Sequence, residues 1–147
     1  MKIVIKKYGE LTCDELYDIL KLRCEVFVVE QNCAYCDPDG LDKQAAHVIL
    51  ADGDRVVATA RILPAGTRFR QVSIGRVVVD SGYRKRSLGK LLMDKAIAYA
   101  TDILSAKEIK ISAQLYLRKF YEDLGFKQVT DIYDEDGIPH IGMLHPS

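Results

Sequence analysis

Between residues 80 and 94 the chain reads DSGYRKRSLGKLLMD. Arg84, Lys85, Arg86 and Lys90 stand together with no acid between Asp80 and Asp94, and a helical apolar pattern begins among them at Leu88 and Gly89. The first turn of a helix carries backbone amides with no partner, and the helix dipole adds partial positive charge there. A phosphate or pyrophosphate matches both features. A glycine lets its oxygens approach the main chain, and basic side chains add charge-assisted hydrogen bonds. The same run also suits a plain solvated helix start, so its neighbours in the chain have to decide.

Other stretches carry reactive groups. FYEDLGF (120–126) holds Tyr121, a phenol that can give a proton. Glu30, Asp37, Asp39 and Asp42 lie in one acidic stretch, EQNCAYCDPDGLD, and with His140 they are the candidate proton acceptors. That stretch could attract a cationic amine; an exposed acidic loop is the simpler reading. Arg61 and Arg76 fall inside strand patterns, where each would pair with a carboxylate or hold an anionic part of a ligand. Cys33 and Cys36 form a single Cys-x-x-Cys. Zinc would need a second pair, so the expectation is loop thiols and no metal, with a redox- or metal-responsive regulator as a competing reading.

Composition narrows the field. The chain has 147 residues, 48% hydrophobic and 29% charged, which suits one domain spanning 1–147. Lys+Arg and Asp+Glu are 21 each. A broad nucleic-acid interface needs a sustained basic face, so a small anion is the better partner for the local cluster. No apolar run approaches bilayer length. MKIVIKKYGE lacks the apolar core of a signal peptide, so a cytoplasmic protein with reduced thiols is expected.

The elements that must position these groups follow from apolar spacing. KIVIKKY (2–8) reads as a strand, and Thr12 with Glu15 as a capping box. Leu16, Ile19, Leu20, Arg23, Cys24 and Phe27 then recur at helical spacing. Residues 30–44 break the pattern as a loop with a short helical turn. HVILAD (47–52), RVVATARILP (55–64) and QVSIGRVVVD (71–80) read as strands, the first two joined at Gly53-Asp54. The helix after the basic turn has the stripe Leu88, Leu91, Leu92, Ala96, Tyr99, Ala100 and Ile103. KEIKISA (107–113) is a strand, LYLRKFYEDLGF a helix stopped by Gly125, and KQVTDIYD and HIGMLH two strands around EDGIP. The order predicts an α/β (α+β) protein with a mixed, mostly antiparallel central sheet of about seven strands and helices on both faces. The basic turn then lies past the carboxyl end of a strand, where such sheets bind ligands.

RKRSLG, from Arg84 to Gly89, resembles the Arg/Gln-x-x-Gly-x-Gly/Ala pattern of the GNAT superfamily of N-acetyltransferases, which holds the pyrophosphate of acetyl-CoA. Ser87 replaces the first glycine. It keeps the backbone if its φ is negative, and its hydroxyl then reaches a phosphate; otherwise it crowds the oxygens. FYEDLGF resembles a second motif of the superfamily, Asn-x-x-Ala-x-x-Phe-Tyr-x-x-x-Gly-Phe, with Gln114 at the Asn position and Leu117 at the Ala position. FVVEQNCAYCDPDGLD, IGRVVV and EDGIPHIGM are similar to the ElaA-type branch.

The resemblance implies an acetyl-CoA-dependent N-acetyltransferase acting directly on a primary amine, small or carried by a protein. It assigns Val77, Val78 and Val79 to the oxyanion, through their main chain, and Arg84, Lys85, Arg86, Ser87, Leu88, Gly89, Lys90 and Gln114 to the cofactor. Tyr121 is the implied acid for the thiolate. Its proton transfer to sulfur is uphill by about 2 kcal/mol, small against a barrier above ~10 kcal/mol. Making a lysine-like amine neutral at pH 7 costs about 4.6 kcal/mol. Glu30, Arg61 and His140 are the acceptor-side candidates. Members often dimerise, which leaves a homodimer open. A non-catalytic acyl-CoA-binding or sensing module is the alternative function.

Overall fold

The alternating and helical patterns resolve into eight strands and three α-helices in the computed structural model, which describes residues 1–146. In chain order these are β1 (Lys2–Lys7), α1 (Cys13–Arg23), β2 (Ala46–Asp52), β3 (Arg55–Leu63), β4 (Val72–Val79), α2 (Leu88–Asp102), β5 (Glu108–Gln114), α3 (Arg118–Asp123), β6 (Lys127–Gln128), β7 (Tyr133–Glu135) and β8 (Ile138–Pro146). They form one sheet in the order β1-β2-β3-β4-β5-β8-β6, with β7 also on β8. Every pair is antiparallel except β4 with β5. This is the mixed, mostly antiparallel sheet expected from the sequence. No helix among the described residues is long and apolar enough to cross a membrane.

Local chemistry starts and stops the elements as anticipated. Thr12 Oγ1 accepts from the Glu15 amide at 3.0 Å, and Glu15 Oε1 accepts from the Thr12 amide at 2.9 Å. Gly53 takes φ +61° in the two-residue β2–β3 turn, and Gly125 takes φ +100° after α3. Period two then sorts the sheet residues. Val48, Leu50, Ala58, Ala60, Ile62 and Ile74 join α2 in the main core, while His47, Thr59 and Arg61 point to the α1 side. On α2 the buried stripe is Leu88, Leu92, Met93, Ala96 and Ala100. Leu91 and Ile103, assigned to that stripe from spacing, are exposed, because at 100° per residue the packed arc centres on Leu92 and Ala96. Along α1 and the helical turns that continue it, likewise, Leu22 and Val26 are buried and Cys24 is exposed.

Two expected elements are shorter than their patterns. LYLRKFYEDLGF gives a single 3-10 turn, Leu115–Leu117, and then only six α-helical residues. KQVTDIYD is not one strand. Val129 donates to the Gly142 carbonyl, but Gly142 then donates to Thr130 Oγ1 at 2.8 Å, so a side chain takes the next rung and the backbone leaves the ladder until Tyr133. Gly142 is required there, since a Cβ would lie 2.6 Å from Thr130 Cγ2.

The acidic loop departs most from expectation. Asp37 and Asp42 are buried, at 4% and 6% exposure, and Arg23 and Arg61 beside them at 1% each. Arg23 pairs with Asp37 and Asp42, both at 2.7 Å. Arg61 pairs with Asp39 at 2.7 Å and Asp42 at 3.1 Å, and Arg76 with Asp37 at 2.9 Å. These arginines come from α1, β3 and β4, so residues 37–42 are pinned onto the α1 face of the sheet. The Arg61 hydrogen bond is the main cause holding the Asp39 carboxyl below the usual range. Burial acts to raise Asp42, but Arg23 and Arg61 outweigh it and hold it low.

Asp42→Asn is expected to cost about 3–5 kcal/mol in urea unfolding, because it strips a partner from two buried arginines. Wild-type stability should be full above pH ~4, the unfolded carboxylate value. It should fall as acid titrates the depressed folded groups. The mutant should show a smaller part of that loss.

Candidate active site

Strand β4 pairs with β5 only at Val72↔Ile109 and Ser73↔Lys110, after which the two strands part. On its other side β4 stays with β3, but with an irregularity: Thr59 faces Val78 while Arg61 faces Gly75. Two residues of β4, Arg76 and Val77, therefore span the single residue Ala60 of β3, a β-bulge with one extra residue. Its centre is Arg76, at φ +48°, a left-handed conformation a non-glycine residue holds only when its surroundings enforce it. The enforcement is visible. Besides the Asp37 carboxylate, Arg76 Nη2 reaches the Asp37 carbonyl at 3.0 Å, and the guanidinium lies 5.6 Å from the Tyr35 ring centre.

The parting strands enclose a cleft of about 460 Å³. Asp80 donates its amide to the Val57 carbonyl on β3. By strand alternation, Val79 turns its peptide groups the other way, into the cleft, and Arg84 Nε indeed meets the Val79 carbonyl at 3.3 Å. With β5 gone, the cleft-facing amides along Val77–Val79 have no strand to bond. Tyr121 lines the same cleft. Burial above all, with Tyr116 nearby, pushes its phenol above the ordinary tyrosine range. It therefore keeps its proton at neutral pH.

A second cavity of about 510 Å³ opens against the start of α2, lined by Lys85, Ser87, Leu88, Gly89, Lys90 and Phe120 among others. Val79, Arg84 and Phe120 line both cavities. The approach to α2 is shaped by Asp80, whose Oδ1 accepts from the Gly82 amide at 2.9 Å, and which pairs with Arg55 at 2.8 Å. Lys85 and Ser87 both adopt left-handed backbone, φ +67° and +57°. Ser87 thus holds the left-handed conformation natural to the glycine it replaces, so the backbone is kept at a positive φ and not under the negative-φ condition set for it above. Its side chain makes no capping hydrogen bond to the helix, so the first-turn amides stay free for an anion. Gly89 packs close to Phe120, with 3.4 Å from an added Cβ to Cζ.

The cations of the turn do not all face this cavity. Arg84 pairs with Glu30 at 2.8 Å. Arg86 lies 4.9 Å from the Tyr83 ring centre and lines neither cavity. Lys90 pairs with Asp94 at 2.8 Å. Lys85 is at the cavity. In the cleft, Gln114 and Gln31 exchange amide hydrogen bonds at 3.2 and 3.3 Å. Glu30 and Gln31 end a π-helical continuation of α1, Cys24–Glu30, whose wide turns are seen in Gln31 N to Val26 O at 3.0 Å. One short segment therefore touches the basic turn and β5 together.

Among the acceptor-side candidates, Glu30 and His140 line the cleft. Arg61 does not, being buried in the Asp39–Asp42 network. Asp37, Asp39 and Asp42 are committed to arginines. Cys33 lines the cleft and donates to the Asp136 carbonyl at 3.1 Å, and Cys36 donates to the Pro38 carbonyl. Sequence reasoning missed Glu135, Arg68, Tyr133 and Ser112, which gather beside His140. No motif marks them; only the pairing of β5, β7 and β8 brings them together.

A family model described as "Acetyltransferase (GNAT) domain" matches residues 19–145. Protein ElaA of Escherichia coli strain K12 is 44% identical over 138 residues, covering 92% of this chain and 90% of ElaA. The crystal structure of E. coli ElaA superposes with a TM-score of 0.90, at 40% identity and 99% coverage of both chains. A Pseudomonas aeruginosa structure described as an acyl-CoA N-acyltransferase gives 0.91, again at 40% identity and 99% coverage of both.

Ser87→Gly is expected to raise stability by up to about 1 kcal/mol, since glycine accepts positive φ without steric cost. Ser87→Val should lower it by more than that, because branching at Cβ opposes this conformation. Thermal unfolding of the two variants reads the difference.

Proposed function

This chain belongs to the GNAT acetyltransferase family, in its ElaA-type branch, and has an acyltransferase fold; from that premise we propose that it moves an acetyl group from acetyl-CoA directly to a primary amine. The observation that carries the reading is the joining of two cavities. An uncapped, basic helix start opens into a cleft that holds unbonded strand amides and a protonated tyrosine. An acyl-CoA needs both: a place for its pyrophosphate and, one pantetheine arm away, a place for its thioester.

Each step rests on residues of this chain. Lys85 and the amides of Leu88, Gly89 and Lys90 hold the pyrophosphate, and Arg84 leaves Glu30 to join them. Acetyl-CoA supplies a carbonyl carbon made electrophilic by a thiolate leaving group. The cleft-facing amides along Val77–Val79 meet the charge that grows on the carbonyl oxygen; one such donor is worth roughly 10²–10³ in rate. As the carbon–nitrogen bond forms and the carbon–sulfur bond breaks, Tyr121 gives its proton to sulfur. The dry surroundings that raise the phenol also raise the departing thiol, so the two stay matched. Gln114, already bonded to Gln31, closes the β5 side.

The reading is tested by incubating the protein with acetyl-CoA and a panel of primary amines, following thiol release and the acetyl mass shift. Turnover is expected; acetyl-CoA binding without turnover of any amine would favour the sensing module. Tyr121→Phe should lower kcat about 100-fold while leaving CoA affinity within twofold. Glu30→Gln frees Arg84 from a competing partner and should tighten CoA roughly two- to fivefold in calorimetry, the worth of one exposed ion pair.

A further inference from the structure

We propose that Glu135 and His140 together form the proton acceptor for the attacking amine, a role resting on the acetyl-transfer reading above. His140 lies on β8, paired in register with Tyr133 of β7 on one side and Gln114 of β5 on the other. Both His140 and Glu135 line the cleft that contains Tyr121 and Val77–Val79. His140 is 7% exposed, and its Nδ1 lies 2.7 Å from the Ile138 carbonyl oxygen. A carbonyl oxygen only accepts, so a ring proton sits on Nδ1. Nε2 lies 3.3 Å from Glu135 Oε2; in the proposed resting state it is unprotonated.

In that state two acceptors face each other and leave a space for one proton; their separation is longer than the 2.7–2.9 Å typical of a charge-assisted bond. The surroundings fix both partners. Arg68, from the β3–β4 connection, holds the other carboxylate oxygen of Glu135 at 2.8 Å. Ser112 Oγ is 3.4 Å from that same oxygen and hydrogen-bonded to the Tyr133 hydroxyl. The Tyr133 ring stacks on His140 at 6.2 Å between centres and 24° between planes. Asp136, which follows Glu135, and Cys33, which bonds the Asp136 carbonyl, line the same cleft, as do Tyr35, Arg76 and Tyr116. The pair is thus held from several sides and faces the cleft.

The proton balance closes without a further reactant. The bound ammonium gives one proton to the Glu135–His140 pair and becomes the nucleophile. Its nitrogen forms the bond to the acyl carbon, the carbon–sulfur bond breaks, and Tyr121 protonates the sulfur. The nitrogen's second proton then leaves to solvent, which also empties the pair and restores Tyr121. An acceptor already neutral at the working pH has no need of the first transfer.

That last point gives the test. Full-length protein is assayed at pH 7 with acetyl-CoA and either benzylamine, an ammonium ion at that pH, or hydroxylamine, which is already neutral there. Glu135→Gln keeps the shape and can still accept from Arg68, but its amide N–H donates to Nε2 and fills the vacant place. The expected result is a loss of kcat/KM of about 100-fold or more with benzylamine and less than 10-fold with hydroxylamine. Equal losses with both, or none with benzylamine, overturn the proposal and leave Glu135 a packing residue. Independently, ¹⁵N spectra of His140 in the wild-type protein at pH 7 should show a proton on Nδ1 and none on Nε2. A ring protonated on both nitrogens means the place is already filled, and the proposal fails whatever the variant does. If the wild type acetylates neither compound, the acetyl-transfer reading is in question, and the ring spectrum alone decides the state of the pair.

Discussion

The structure turns on the parting of β4 from β5 after two residue pairs. A parallel pair inside a sheet ordinarily continues, because an unbonded peptide group away from water costs free energy. Here the Arg76 bulge re-aims β4, and the strand gives up its partner in the region where a substrate carbonyl would need donors. The strand end then delivers the chain to the basic turn and to α2. Cleft, open β4 edge and helix start are therefore consequences of one interruption in one ladder, and they keep a fixed relation because the rest of β4 stays bound to β3.

What holds the interruption is charge rather than apolar contact. Three arginines from three elements meet three aspartates of a single loop, and the bulge residue is one of them. Buried ion pairs of this kind contribute little net stability, since desolvating the charges offsets most of the attraction. Their effect here is positional. The network fastens the loop that follows the π-helical segment, and that segment puts Glu30 against Arg84 and Gln31 against Gln114. The same interactions that keep Arg76 in a left-handed backbone thus frame the mouth of the cleft.

The fold was largely legible in the sequence because its signals are local. Capping at Thr12, the Gly53 turn, the Gly125 stop and the alternation of β2–β4 act within a few residues. The turn at 84–90 was legible for the same reason. The acidic loop was misread as exposed because its partners stand 14 to 39 residues away in sequence. The visible hint was Arg23 inside an otherwise apolar stripe, alongside Arg61 and Arg76 inside strands. Ser87 could not be judged from its identity, since its φ is set by the turn. The cluster around His140 was out of reach, because it depends on the Thr130–Gly142 rung that splits one expected strand into β6 and β7.

The central claim is that the uncapped start of α2 and the unbonded edge of β4 receive one ligand together. The most direct measurement is an amide ¹H–¹⁵N titration of the protein with acetyl-CoA. The account predicts that the largest shifts fall in two groups at once, Leu88, Gly89 and Lys90 on α2 and Val77–Val79 on β4, saturating at the same ligand concentration. Shifts confined to exposed lysines elsewhere, or a response of the α2 amides with β4 silent, would contradict it.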